Sequence, residues 1–134
     1  IATLVKRIDS VRELDDPNTV KAVITDFEEG SADALYFSRS PIPHVRDGSR
    51  EEAVKTQAFY KHVGLYAFAP EVLQEVVQIP ASPLEEIERL EQLRWLENHF
   101  VITVMETKSE SIGVDTPEDL ALVENFLKRH PEYR

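Results

Sequence analysis

Asp115 stands in Gly113-Val114-Asp115-Thr116-Pro117-Glu118-Asp119-Leu120, a stretch that reads as a strand end delivering one carboxylate directly in front of a helix. Thr116 suits the N-cap, Pro117 the first helical position, and Asp119 stands where it closes a capping box with Thr116. Helix entry accounts for those three residues and leaves Asp115 over. An acid held between strand and helix is where α/β folds place metal or substrate ligands, and a hard cation takes oxygen donors. Glu91 is a second candidate. Plotted at about 100° per residue, Leu84, Ile87, Leu90, Leu93, Trp95 and Leu96 cover most of a helix, with Glu91 inside the apolar arc between Leu84 and Ile87. It is therefore expected to be partly buried, as a structural anchor or as part of a polar site. Arg39 and Tyr66 fall at strand ends, where open α/β sheets bind ligands, and with Asp115 they could line one pocket. Each also has a structural reading: Arg39 as a surface guanidinium, His62 as a satisfied strand histidine, Tyr66 as a core ring with a wet hydroxyl.

The elements that must position these residues follow from periodicity. Ile1 to Ile8 looks like an interior strand, which leads us to expect a part of a longer protein. Val20 to Phe27 and Ala32 to Ser38 read as paired strands around the turn Glu28-Glu29-Gly30-Ser31. Ser40 to Gln57, with Pro41, Pro43 and Gly48, reads as a long loop. His62 to Phe68 alternates as a strand, and Pro70 opens a short helix to about Val77. Ser82-Pro83-Leu84-Glu85 starts the best helix, running through Trp95 or beyond. Val101 to Met105 is a strand, Thr107 to Ile112 a polar loop, and a last helix runs from Pro117 to about Lys128. From Val20 onward, after that first strand, the order is β-β-β-α-α-β-α, an α/β sheet layered with helices.

Composition narrows the function classes. The 134 residues suffice for one domain with a real core, and 42% apolar content argues against disorder. No apolar run approaches the length needed to span a bilayer. A net charge of -10 argues against nucleic acid and anionic membrane as partners, so an anionic substrate must meet locally placed cations or a metal ion. The absence of cysteine excludes disulfides and thiolate metal sites and is compatible with a reducing compartment. The four glycines are isolated, at positions 30, 48, 64 and 113, and form no phosphate loop. There is no serine nucleophile elbow and no zinc-type histidine pair.

Six segments occur in order across nearly the whole chain: Pro17-Asn18-Thr19-Val20-Lys21-Ala22-Val23, Ala34-Leu35-Tyr36-Phe37-Ser38-Arg39-Ser40-Pro41-Ile42-Pro43, Lys61-His62-Val63-Gly64-Leu65-Tyr66, Ser82-Pro83-Leu84-Glu85, Leu90-Glu91-Gln92-Leu93-Arg94 and the segment around Asp115. Together they resemble the C-terminal half of the 3-deoxy-manno-octulosonate (Kdo) cytidylyltransferases. The resemblance implies a Rossmann-like nucleotide-diphospho-sugar transferase fold with a mixed sheet flanked by helices, of which residues 1–134 would be the substrate-binding and dimerisation half. It implies a cytoplasmic, Mg²⁺-dependent reaction of CTP with Kdo, giving CMP-Kdo and pyrophosphate for lipopolysaccharide synthesis. The anomeric hydroxyl of Kdo would attack the α-phosphate.

By the same resemblance Asp115 would be one of two magnesium-binding carboxylates, and Arg39, His62, Tyr66, Glu91 and Gln92 would line the Kdo site. Arg or His could meet the sugar carboxylate, and Glu91 and Gln92 its hydroxyls. The family's basic phosphate loop and its Gly-Asp metal motif belong to a half this sequence does not contain, so the chain alone is expected to be inactive and to bind CTP poorly. Loss of that half is also expected to leave an exposed strand edge. A homodimer is expected. Two further readings stand beside this one: a cytidylyltransferase for another sugar acid, and a non-catalytic sugar-acid-binding or dimerisation module.

Overall fold

The computed structural model describes residues 1–109 and 117–131. Asp115, the Thr116 cap and the Gly113-Val114 strand end lie outside the described residues. Among the described residues five strands form one sheet: β1 (Ala2–Arg7), β2 (Lys21–Ile24), β3 (Ser31–Ser38), β4 (Tyr60–Ala67) and β5 (Thr103–Glu106). Six helices accompany them: α1 (Val11–Asp15), α2 (Arg50–Thr56), α3 (Pro70–Val76), α4 (Pro83–Glu88), α5 (Gln92–Glu97) and α6 (Pro117–Arg129). The sheet is mixed, with β1 and β5 parallel and the other pairs antiparallel.

In the order β1-β4-β2-β3-β5 the sheet closes on itself where β5 pairs with β1, Ala2 with Thr103 and Thr3 with Val104. Every strand thus has two neighbours, and the open edge expected of this half is absent among the described residues. The main core lies between the sheet and α3 to α5. Val5, Ala22, Ala32, Ala34, Phe37 and Val104 come from the strands, and Val76, Leu90, Leu93, Trp95 and Ile102 close over them. A smaller cluster of Ile8, Leu14, Ala53, Val54 and Phe59 is built by α1, α2 and the segments beside them.

Two expectations from periodicity are corrected here. The stretch from Ser40 to Gln57 is not loop throughout, because it contains α2. Ser49 Oγ accepts from the amide of Glu52, and Ala53 and Val54 are buried, so a cap and two apolar residues suffice to fold one short helix. The single helix expected from Ser82 through Trp95 is two. Arg89 takes the left-handed conformation (φ 56°, ψ 47°), and the Arg89 and Leu90 amides both donate to the Glu85 carbonyl, as in a Schellman stop. The turn drops Leu90 into the core and restarts the chain as α5 in a new phase. Glu91 therefore leaves the apolar arc: its side chain is 62% exposed, contrary to the burial expected for it.

Candidate sugar-acid site

Sequence-predicted residues meet where β4 passes under α5. β1 and β4 lose register between Thr3 and Leu4, so that Thr3 pairs with Tyr66 and Leu4 with Val63, leaving Gly64 and Leu65 in a bulge. The buried Thr3 hydroxyl fastens this bulge, lying 2.8 Å from the Leu65 carbonyl and 3.0 Å from His62 Nε2. A hydroxyl that donates to the carbonyl must accept from the ring, which assigns the proton to Nε2 and leaves Nδ1 as an acceptor. Burial pushes the His62 pKa from 6.5 down to about 4, so the ring is neutral at pH 7. His62 can thus hydrogen-bond a ligand but does not offer it a positive charge.

The His62 ring packs 5.1 Å from Phe37 and 5.2 Å from Tyr66, and Tyr66 meets Trp95 edge-on at 5.0 Å. This aromatic floor holds the Tyr66 phenol in place. Its hydroxyl is buried and has no hydrogen-bond partner, an arrangement that costs stability unless a ligand satisfies it. Burial, and next the charge of Glu91, push the Tyr66 pKa upward, so the group stays a neutral donor.

The two residues after the α4–α5 corner divide the work. Gln92 opens α5 and is buried, whereas Glu91 is exposed and ion-pairs with Arg94. Arg94 also reaches Glu85 at 3.5 Å and donates to the Ile79 carbonyl at 3.1 Å, which ties the corner to the segment before α4. Arg39 follows β3 and approaches the same corner from the other side. Its guanidinium donates to the carbonyls of Glu88 (2.9 Å) and Pro17 (3.1 Å) and lies 3.5 Å from that of Arg89. It is a brace between segments rather than a surface guanidinium, with part of its donor fork left for a ligand.

The structure thus joins His62 and Tyr66 directly, sets Glu91 within electrostatic reach of Tyr66, and links Arg39 to the corner that carries Glu91 and Gln92. Asp115, outside the described residues, is not placed against them. A surface depression of about 670 Å³ lies elsewhere, on the β2–β3 hairpin; Asp26, Glu28, Glu29 and Asp33 line it, and their charges oppose an anionic ligand. Among the described residues no three His, Asp or Glu side chains cluster as metal ligands.

Sequence reasoning missed Thr3, which fastens the bulge beneath His62, and Glu88, whose carboxylate accepts from Ser38 and from the Arg39 amide. It also missed Lys21, a fully buried lysine whose ammonium donates to the Asp16 and Thr19 carbonyls. Burial lowers the Lys21 pKa, with Asp16 the largest opposing influence. A lysine amid the β-branched and apolar run Thr19 to Thr25 was the available signal.

This architecture, a mixed sheet layered with short helices and a polar corner over its aromatic face, is of the α/β class. The cytidylyltransferase family model matches residues 1–112, and the chain belongs to that family. The 3-deoxy-manno-octulosonate cytidylyltransferase of Phocaeicola vulgatus is 47% identical over 132 residues, covering 96% of this chain and 51% of the relative. That of Solibacter usitatus is 50% identical over 128 residues, covering 96% and 47%. The solved structure of CMP:2-keto-3-deoxy-manno-octonic acid synthetase complexed with CTP is similar at a TM-score of 0.80 and 40% identity, covering 96% of this chain and 48% of that one. The chain spans about half the length of the curated relatives it matches.

Proposed function

We propose that this chain is the sugar-acid-binding half of a cytidylyltransferase that converts CTP and Kdo to CMP-Kdo and pyrophosphate. The observation that carries the reading is the buried, unpartnered Tyr66 hydroxyl beside His62 and the Glu91–Gln92 corner, in a chain so similar to Kdo cytidylyltransferases. Tyr66 and neutral His62 would hydrogen-bond the sugar, Gln92 and Glu91 would receive its hydroxyls, and Arg39 would meet its carboxylate with the donors its carbonyl contacts leave over. Their role is to hold the anomeric hydroxyl in line with the α-phosphate.

The described residues provide no cluster fitted to Mg²⁺. Asp115 would supply one oxygen ligand, and the ion, when bound, would neutralise phosphate charge. A homodimer in the cytoplasm completes the proposal, and no helix among the described residues is long and apolar enough to cross a membrane.

Pyrophosphate release by a full-length protein carrying this chain, with CTP, Mg²⁺ and Kdo, tests the reading. Asp115→Asn should lower kcat by about 100-fold or more while leaving the fold intact by circular dichroism. Turnover of a different sugar acid would replace the substrate. No nucleotidyl transfer at all would leave a binding module. Sedimentation of the same protein tests the dimer.

A further inference from the structure

Glu88, the last residue of α4, sends its side chain back to β3. Ser38 Oγ donates to Oε1 at 2.6 Å and the Arg39 amide donates to Oε2 at 3.0 Å, so each carboxylate oxygen takes one donor. The Ser40 amide donates to Ser38 Oγ at 3.0 Å, which leaves that hydroxyl's own proton for Glu88. From the other direction, Arg39 Nε donates to the Glu88 carbonyl at 2.9 Å. Glu88 and Arg39 are therefore locked reciprocally, side chain to backbone in both senses, across 49 residues of sequence.

This lock sits where the chain leaves α4 for α5. Immediately after Glu88 the chain turns through left-handed Arg89, and only then presents Glu91 and Gln92. α4 itself has no fully buried side chain to hold its last turn against the sheet. Ser38, by contrast, is 3% exposed and ends β3, where it pairs with the buried Lys21 of β2. A carboxylate that accepts two hydrogen bonds from such a strand end fixes the corner more firmly than apolar contact of an exposed helix would.

We propose that Glu88 is the positioning residue that sets the distance between Arg39 and the Glu91–Gln92 pair, and so the span of the pocket for an acidic sugar. The assignment rests on the sugar-acid reading above. With both oxygens engaged by the protein, Glu88 acts through its neighbours and does not itself contact substrate.

Glu88→Gln is the informative substitution. A glutamine keeps one acceptor oxygen but removes the charge and replaces the second acceptor with an amide donor, so the lock loses its charge-assisted bonds with little change in volume. In a full-length protein carrying this chain, Glu88→Gln should raise KM for Kdo about tenfold while KM for CTP stays within about twofold. Ser38→Ala, which removes one donor, should move the same constant in the same direction by less. Amide exchange at Arg39 should accelerate in Glu88→Gln, with exchange in β1 unchanged.

Unchanged KM for Kdo, or equal rises for both substrates, would overturn the positioning role. If the wild-type protein transfers no cytidylyl group to Kdo, the sugar-acid reading falls instead. Exchange at Arg39 then decides the lock by itself: acceleration upholds it as a brace of the corner, and no acceleration rejects it.

Discussion

The Tyr66 hydroxyl is the side-chain atom whose surroundings point most directly to a ligand. A phenol buried without a partner lowers the stability of the free protein, so removing its oxygen should not destabilise the fold. Tyr66→Phe is expected to melt at the same temperature as the wild type or slightly above it, and to raise KM for Kdo in the intact enzyme about tenfold. A large loss of thermal stability would mean that the oxygen is satisfied within the protein. His62 gives a prediction of opposite kind. Its folded pKa of about 4 lies below the ordinary 6.5, so the unfolded chain takes up a proton that the folded one refuses. Its contribution is fully present above about pH 6.5 and is lost as pH falls toward 4, by about 3 kcal/mol over that window. Urea unfolding of His62→Gln should show a shallower decline of stability between those pH values than the wild type. Identical slopes would place the imidazole in water.

Among the helices, the break at Arg89 is the feature that sequence periodicity could not show. An arginine at φ 56° occupies backbone space that glycine enters without steric cost. Arg89→Gly is expected to stabilise the protein by about 1 kcal/mol in denaturant unfolding, and a loss of that size would show that the Arg89 side chain, rather than its backbone, secures the corner. The wheel through Leu84, Ile87 and Leu90 assumed one continuous phase, which Schellman geometry interrupts, and the exposure of Glu91 follows from that interruption. Other elements were legible. Ser82 with Glu85 makes the full capping box that the sequence predicts, and the strands near 21–24, 31–38, 60–67 and 103–106 follow from alternation and β-branching. The same Ser-x-x-Glu spacing recurs at Ser10–Glu13 and Ser49–Glu52, where each serine caps a helix that apolar periodicity alone overlooks. Five- and seven-residue helices are too short to establish a period, so the cap is their only local signature. For the site, residue types at strand ends brought attention to Arg39 and Tyr66. The Glu88 lock spans 49 residues of sequence and has no local pattern to reveal it.

For the molecule as a whole, charge and closure bear on what the chain can do alone. The closed sheet gives each strand two partners and the two apolar clusters give it a core, so the chain has the means to fold without another half. Binding CTP is a different demand, because a triphosphate needs several free donors and cations in one place. Here the net charge is -10, and four described cations around the site are already engaged: Lys21 with backbone carbonyls, Lys61 with Glu13, Arg94 with Glu85 and Glu91, and most of Arg39 with carbonyls. No run of glycines offers backbone amides instead. The isolated 134-residue chain is therefore expected to unfold cooperatively in urea, yet to show no heat of CTP binding at about 1 mM nucleotide, with or without Mg²⁺. It should release no pyrophosphate with Kdo. A full-length protein carrying the same residues should bind CTP in the micromolar range, at about 1 to 100 µM, and turn it over. Micromolar CTP binding by the isolated chain would show that it builds a nucleotide site from its own residues, and would overturn the proposal that it is the sugar-acid half. Cooperative unfolding without nucleotide binding would place folding within this chain and nucleotide recognition outside it.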